Sequence, residues 1–242
     1  MTVLSWNPYC GPAPDPADLL SRWNGDPLLL AALAVFAVGG VAATRERKSS
    51  ASVLAVLAVL IITFVSPLCA LSSALFTART LHHLLLLLAA APLLALCLPL
   101  QKSPRLAAAT AVQALVFWAW HAPDLYAEAL SSDPVYWVMQ LTILGSAVWF
   151  WAAVRASKAP AAVAGLLAAM LLMGLLGALI VFAGQPLYAP HFATTLAWGM
   201  TPLEDQQAAG LIMWAPAAAA YLLAALWRIA GLFRSAGTAR AA

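Results

Sequence analysis

The sequence predicts an all-α polytopic membrane protein, with seven transmembrane helices in one bundle, the N-terminus outside and the C-terminus in the cytoplasm. Of its 242 residues, 64% are hydrophobic and only 9% are charged. A soluble domain usually has about 45–50% apolar and about 25% charged residues. The apolar runs lack the alternation of a barrel strand, so the backbone must satisfy its hydrogen bonds within helices. The basic residues recur between alternate apolar runs, which indicates repeated crossings of a membrane.

A membrane span needs about 20 apolar residues, with a usual range of about 17–25. Seven segments are predicted as spans: Pro27–Ala43, Ala51–Ala70, Leu81–Leu100, Leu106–Trp120, Val135–Val154, Ala159–Ala183 and Ala208–Phe233. They divide the chain into an external segment at residues 1–26, a transmembrane domain at 27–233 and a cytoplasmic tail at 234–242. Gly174 and Gly177 on the sixth predicted span indicate close packing against another helix.

The charges predict the orientation, because short cytoplasmic loops carry an excess of lysine and arginine. Ten of the twelve basic residues fall on one side, and eight of the nine acidic residues fall on the other. The inner residues are Arg45, Arg47, Lys48, Lys102, Arg105, Arg155, Lys158, Arg228, Arg234 and Arg240. We therefore expect a multi-pass membrane protein, with the lipid bilayer as a partner and no nucleic acid.

All four histidines are predicted at the outer side: His82 and His83 at the start of the third span, His121 at the end of the fourth and His191 in the loop after the sixth. Neighbouring helical residues point about 100° apart, so we expect only one of His82 and His83 to face the bundle. Imidazoles tolerate interfaces, but they also bind copper and zinc, and thioethers such as Met213 favour Cu(I). The pattern leaves both a structural role and a shared metal site open.

Asp205 and Gln206 precede the last predicted span, where they could cap that helix or turn inward to orient a ligating histidine. The three cysteines have neither the spacing of a zinc site nor that of a disulfide framework. Cys10 is expected as an unpaired external thiol, either incidental or a ligand of Cu(I). No phosphate loop, HExxH or GxSxG motif is present, so no enzyme is predicted.

Several motifs resemble those of one family, the CtaG-type cytochrome c oxidase assembly factors of bacterial inner membranes. They cover about residues 81 to 230, in order along the chain. The matching stretches are His83-Leu84-Leu85-Leu86 with Ala91-Pro92-Leu93-Leu94, Trp120-His121-Ala122-Pro123-Asp124-Leu125-Tyr126, Phe150-Trp151, Pro186-Leu187-Tyr188, and Asp205-Gln206-Gln207-Ala208-Ala209-Gly210-Leu211-Ile212-Met213-Trp214. The last stretch is the most specific, since short apolar matches alone carry no weight.

The resemblance implies a helper in the assembly of a haem–copper oxidase, acting in copper supply, with an oxidase subunit or a copper chaperone as partner. It points to His83 and His121 as the best candidate ligands, and to Asp205, Gln206 and Met213 as supporting positions. The sequence also departs from the family. Arg79, Tyr136 and Gln140 stand where family members often carry histidine.

These departures leave two interpretations open. Either a copper site is rebuilt with His82, His191, a methionine or Cys10, or metal binding is lost and a scaffold role remains. The first function predicted is therefore a copper-binding assembly factor. The alternative is a metal-free structural or accessory subunit of a respiratory complex. A copper or small-solute transporter is a weaker third hypothesis, because the inner half of the bundle offers few polar side chains for a path through the bilayer.

Overall fold

A computed structural model describes residues 6–43, 47–99 and 105–240, with the side chains of 43, 47–50 and 234–240 left undescribed. Helices form 80% of the structure, and no strand occurs in these residues, so the predicted all-α class is confirmed. The α-helices are α1 (Pro27–Ala43), α2 (Arg47–Phe64), α3 (Pro67–Ala74), α4 (Phe76–Leu85), α5 (Ala91–Cys97), α6 (Leu106–Trp120), α7 (Pro123–Ala129), α8 (Asp133–Ala156), α9 (Ala159–Val181) and α10 (Pro202–Arg240). A π-helical turn, Leu86–Ala90, joins α4 to α5.

Four helices in the described chain have the length and apolar character needed to cross a bilayer, and a bent pair gives a fifth. The four are Phe76–Cys97, Asp133–Ala156, Ala159–Val181 and Pro202–Phe233, and the bent pair is Ala51–Phe64 with Pro67–Ala74. Two shorter apolar helices, Pro27–Ala42 and Leu106–Trp120, coincide with the first and fourth predicted spans. The count of seven spans stays a prediction.

The second predicted span, Ala51–Ala70, is not one straight helix. Its two parts meet at an angle of 43°. Ser66 begins the second part by accepting a hydrogen bond from the amide of Leu68, and Pro67 occupies the first helical position. Proline has no amide hydrogen to donate and suits a first turn, so a new helix starts where the old one ends.

The third span begins at Phe76 rather than at Leu81, so His82 and His83 lie in its second turn and not at its start. It also contains the π turn just before Pro92. In a π-helix the carbonyl of Leu87 would pair with the amide of residue 92, and a proline cannot supply that donor. The indole of Trp151 on α8 donates to this carbonyl instead, at 2.8 Å.

Helix α4 is central, since it packs against α2, α3 and α10, while its continuation through α5 packs against α2 and α8. Helix α6 packs on α8 and α9. Because α6 begins beside Arg105 and ends at His121, and α8 runs back from Asp133 to Arg155, basic residues and histidines lie at opposite ends of the bundle. Among the inner basic residues, Arg45 and Lys102 lie outside the described residues, and the side chains of Arg47, Lys48, Arg234 and Arg240 are not described.

The close packing predicted from the glycines of the sixth span is confirmed where α9 meets α10. A Cβ atom on Gly177 would lie 2.8 Å from the carbonyl oxygen of Gly210, and one on Gly210 would lie 2.8 Å from the carbonyl oxygen of Gly177. Small residues at such a crossing let two backbones approach closely, and this contact joins α9 to α10.

Gly177→Ala should therefore destabilise the bundle by about 1–3 kcal/mol, because the added methyl group meets backbone that cannot move aside. Thermal unfolding in mild detergent measures the effect. Gly145→Ala is the matched control, since a Cβ atom at this exposed position of α8 meets nothing within 4 Å. Equal midpoints for the two variants would contradict the packing argument.

Candidate functional site

The four histidines are buried inside one end of the bundle, opposite the basic end, and are not spread around its rim. Their relative exposures are 0% for His82, 0% for His83, 3% for His121 and 2% for His191. The expectation that only one of His82 and His83 faces inward is wrong. Because α4 is surrounded by other helices, His82 packs edge-on against Phe64 of α2 while His83 turns toward α6.

His83 and His121 form the tightest pair of imidazoles from different helices. Their ring centres are 5.5 Å apart and their planes are nearly perpendicular, at 81°. Two imidazoles that bind one metal ion at about 2.0–2.1 Å place their ring centres about 5–6 Å apart at trigonal or tetrahedral angles. Neither nitrogen of His83 has a hydrogen-bond partner in the described residues. The spacing therefore suits a shared cation.

His121 is held in the orientation that a metal ligand needs. Its Nδ1 lies 2.7 Å from the carbonyl oxygen of Phe117, to which it donates as N–H, and its Nε2 is buried without a partner among the described residues. Burial lowers the pKa of His121 to about 4, so the ring is neutral at pH 7. Its Nε2 lone pair is then free, and a backbone carbonyl fixing the other nitrogen is the usual support of a ligating histidine.

His191 is engaged differently. Its Nε2 lies 2.6 Å from the hydroxyl of Tyr126, and its ring centre is 6.1 Å from that of Phe76. Burial is the main cause that lowers the pKa of His191 to about 3, and the positive charge of Arg79 is the second.

His82 and Met213 are the remaining candidate ligands. The ring centre of His82 lies 5.9 Å from that of His83, and neither nitrogen of His82 has a hydrogen-bond partner in the described structure. Met213 is fully buried in the apolar core. The roles of His82, His191 and Met213 as ligands stay predictions.

Asp205 caps a helix, but a different one from that expected. Its carboxylate accepts hydrogen bonds from the backbone amides of Phe76, at 2.7 Å, and Thr77, at 3.0 Å, at the start of α4. The hydroxyl of Thr77 donates back to the carbonyl oxygen of Asp205 at 2.8 Å. The cap of α10 itself comes from Thr201 and Glu204, which hydrogen-bond to each other's backbone amides. Asp205 thus fixes the helix that carries two histidines.

Gln206 holds the loop that leads to His191. Its side-chain oxygen accepts from the amide of Leu187 at 2.7 Å, and its nitrogen donates to the carbonyl oxygens of Ile180, at 3.2 Å, and Gln185, at 3.3 Å. The hydrogen bonds of Asp205 and Gln206 thus go to backbone and to Thr77, not to an imidazole. Both side chains are occupied by backbone groups near the site, and the supporting roles of Asp205 and Gln206 stay a prediction.

Arg79 is the one cation inside this part of the described structure. It has 0% exposure, and its three guanidinium nitrogens have no hydrogen-bond partner there. Its Cζ lies 5.3 Å from the ring centre of Tyr136, within the range of a cation–π contact. The nearby phenol groups of Tyr126 and Tyr136 interact with this guanidinium, but no described carboxylate neutralises it. A buried charge without a counterion is costly, and it also repels a metal ion nearby. This residue works against tight cation binding at His83.

Cys10 is not a free thiol, because it forms a disulfide with Cys69 at the start of α3. The earlier expectation failed since the two cysteines are 59 residues apart and no motif links them. Tyr9 stacks on Tyr136 at 4.9 Å between ring centres, and the sulfur of Cys10 lies 3.6 Å from the hydroxyl oxygen of Tyr136. The disulfide therefore holds the N-terminal segment over the Arg79 side of the site.

The sequence profile of the cytochrome c oxidase caa3 assembly factor family, Caa3_CtaG, matches residues 29–235. The chain belongs to this family. The match takes in nearly all of the predicted transmembrane domain and confirms the resemblance found in the motifs. No curated protein sequence and no solved structure matches the chain significantly.

In this caa3 assembly factor family member, the residues that stand where the resemblance leads one to expect histidine, Arg79, Tyr136 and Gln140, lie on α4 and on one stretch of α8. Arg79 lies over the ring of Tyr136, and Gln140 follows Tyr136 by one turn of α8. Gln140 is 2% exposed, and neither atom of its amide has a partner in the described residues. Across residues 6–43, 47–99 and 105–240, no three His, Cys, Asp or Glu side chains are grouped to hold a metal ion.

Tyr126 and Tyr188 were not predicted as site residues, although both lie in stretches that carry the family resemblance. Tyr126 contacts His191, and the hydroxyl of Tyr188 donates to the carbonyl oxygen of His121 at 2.9 Å. Tyr188 also stacks on Phe76 at 3.7 Å between ring centres. Their presence in those stretches was the available signal, but only the fold shows which histidine each one supports.

Asp205→Ala should destabilise the protein by about 1–3 kcal/mol, because two buried amides of α4 lose their acceptor. Asp205→Asn, which keeps one acceptor, should cost less. Thermal unfolding in detergent ranks the variants, and Glu204→Ala, at the exposed cap of α10, should show a smaller loss than Asp205→Ala. If Asp205→Ala unfolds at the wild-type temperature, the cap does not stabilise α4.

Stability should also fall as the pH is lowered. The pKa values of His121, about 4, and His191, about 3, lie below the ordinary value of 6.5. Below pH 6.5 the unfolded chain binds protons that the folded protein excludes. The contribution of these histidines to the free energy of unfolding is therefore complete above pH 6.5 and decreases toward pH 4. Unfolding midpoints at pH 7.5, 6 and 5 measure this slope. His191→Gln should make it shallower, and an unchanged slope would contradict the assignment.

Proposed function

We propose that this protein is a non-enzymatic assembly factor of a haem–copper cytochrome c oxidase that holds copper briefly between His83 and His121. The observation that carries the proposal is their spacing, 5.5 Å between ring centres, with the Nε2 of His121 free and its Nδ1 bonded to a carbonyl. Imidazole nitrogen is a good copper ligand. Two nitrogens are half of a four-coordinate set, which suits a site that passes its metal on rather than one that stores it.

We further propose that the chain crosses a bacterial inner membrane seven times, with its N-terminus outside. The two shorter apolar helices, α1 and α6, complete the count beside the four longer helices and the bent pair. The Cys10–Cys69 disulfide supports an outer position for the histidine end, because such bonds persist in oxidising compartments. The described basic residues at the other end agree with the positive-inside rule.

This orientation places the candidate copper site under the outer surface, within reach of an external copper donor. The N-terminal segment packs across that surface, since Asn24 donates to the carbonyl oxygen of Phe64 at the end of α2, at 3.1 Å. The acceptor of the copper would be an oxidase subunit, and the donor a copper chaperone. Copper is the cargo of this process, and the chain's part is to hold it, with neutral imidazoles, away from bulk water.

The proposal predicts about one copper per chain after loading of the detergent-purified protein, and a fall in affinity of tenfold or more in His83→Ala or His121→Ala, because each removes one of two ligands. Metal analysis after dialysis measures this. His82→Ala, on the Phe64 side of α4, is the control and should keep most of the binding. Arg79→Gln should bind copper more tightly than wild type, since a nearby repulsive charge is gone.

A metal-free structural subunit is the second candidate, and the buried charge of Arg79 is the observation that favours it. The two functions separate clearly. Wild type and Arg79→Gln that both fail to bind copper, combined with normal co-purification of an oxidase subunit, would establish the metal-free role. A deletion strain with unchanged levels of the assembled oxidase would refute both.

A further inference from the structure

The basic end of the bundle contains a cavity that the proposed function does not use. It has a volume of about 180 Å³ and is enclosed by α5, α8, α9 and α10. Its lining includes Leu96, Trp151, Arg155, Leu166, Trp227 and Arg228. Leu96 is 54% exposed and Trp227 is 68% exposed, so the cavity opens on the lateral surface of the bundle. A mostly apolar chamber with two arginines requires an explanation.

Arg155 and Arg228 use only some of their hydrogen-bond donors. Arg155 donates one hydrogen bond to the carbonyl oxygen of Leu98, and Arg228 donates one to that of Ser157, at 2.5 Å. The Nε of each is buried and has no partner among the described residues. Among the described residues, the one ion pair joins Arg22 and Asp18, which lie at the opposite end of the bundle. The guanidinium groups therefore face this chamber with donors to spare and no described carboxylate beside them.

The surroundings place this chamber at the level where a bilayer changes from hydrocarbon to headgroups. Arg155 lies in the last turn of the 24-residue helix α8, and Arg228 lies near the end of the span Pro202–Phe233. Arg105 and Lys158 line a neighbouring, larger cavity of about 750 Å³. Ser157 lines that second cavity and also accepts the bond from Arg228, so Arg228 lies at the edge of both cavities.

We propose that this cavity binds one anionic phospholipid, with its phosphate held by Arg155 and Arg228 and an acyl chain lying along Leu96, Trp151 and Leu166. Guanidinium groups bind phosphate oxygens through paired, charge-assisted hydrogen bonds. Basic pockets between membrane helices on the cytoplasmic side bind anionic headgroups. The apolar walls decide between the two sources of phosphate, because a free ion would leave them uncovered while a lipid tail covers them.

Native mass spectrometry of the full chain, released from detergent with added lipid, tests the proposal. Phosphatidylglycerol should bind to wild type more tightly than phosphatidylcholine. Arg155→Gln and Arg228→Gln should each weaken phosphatidylglycerol binding about fivefold, and the double variant tenfold or more. Arg22→Gln is the charge-matched control at the other end and should bind like wild type.

Ala224→Phe separates the lipid from the free ion, since Ala224 also lines the cavity and a phenyl ring there would block the tail without changing a charge. It should lose phosphatidylglycerol binding, and inorganic phosphate should not compete with the lipid in wild type. Retention of the Cys10–Cys69 disulfide and an unchanged gel-filtration volume show that a variant is folded. Equal binding of the two lipids, full binding by the folded double variant, or displacement by inorganic phosphate would each overturn the proposal.

Discussion

The hydrogen bonds that Asp205 accepts from the start of α4 are the interaction on which the histidine end of the bundle depends. A helix start has amide groups without intrahelical partners, and inside an apolar bundle such groups are costly. Asp205 supplies acceptors to Phe76 and Thr77 from a different helix, α10. Because of this cap, the polar first turns of α4 can lie inside the protein. Arg79, His82 and His83 are buried as a result.

That burial creates two opposed effects in one small volume. The pair formed by His83 and His121 offers neutral nitrogens at a spacing that suits one cation. Arg79 adds a fixed positive charge one turn before His83, and its contact with the ring of Tyr136 offsets only part of the cost of burial. Both effects are strengthened by the low dielectric of the interior. Under the proposed function, this balance favours weak copper binding and release of the metal to a partner.

The sequence predicted the helical class and the close contact at Gly177, because hydropathy and small residues are local signals, whereas only the family resemblance singled out His83 and His121 together. It misplaced the start of α4, since Arg79 and the two histidines lower the apolar character of a segment that is nevertheless buried. The target of Asp205 lies 129 residues earlier. The partner of Cys10 lies 59 residues away. No rule of sequence spacing predicts such contacts, because they form only when distant helices pack together.

The shared-ligand claim is tested most directly by X-ray absorption at the copper edge of the loaded, detergent-purified protein. The account predicts two imidazoles in the first coordination shell, with nitrogen at about 2.0 Å from the metal and the multiple-scattering pattern of histidine rings. A shell made of sulfur at about 2.3 Å, or one without imidazole scattering, would contradict it.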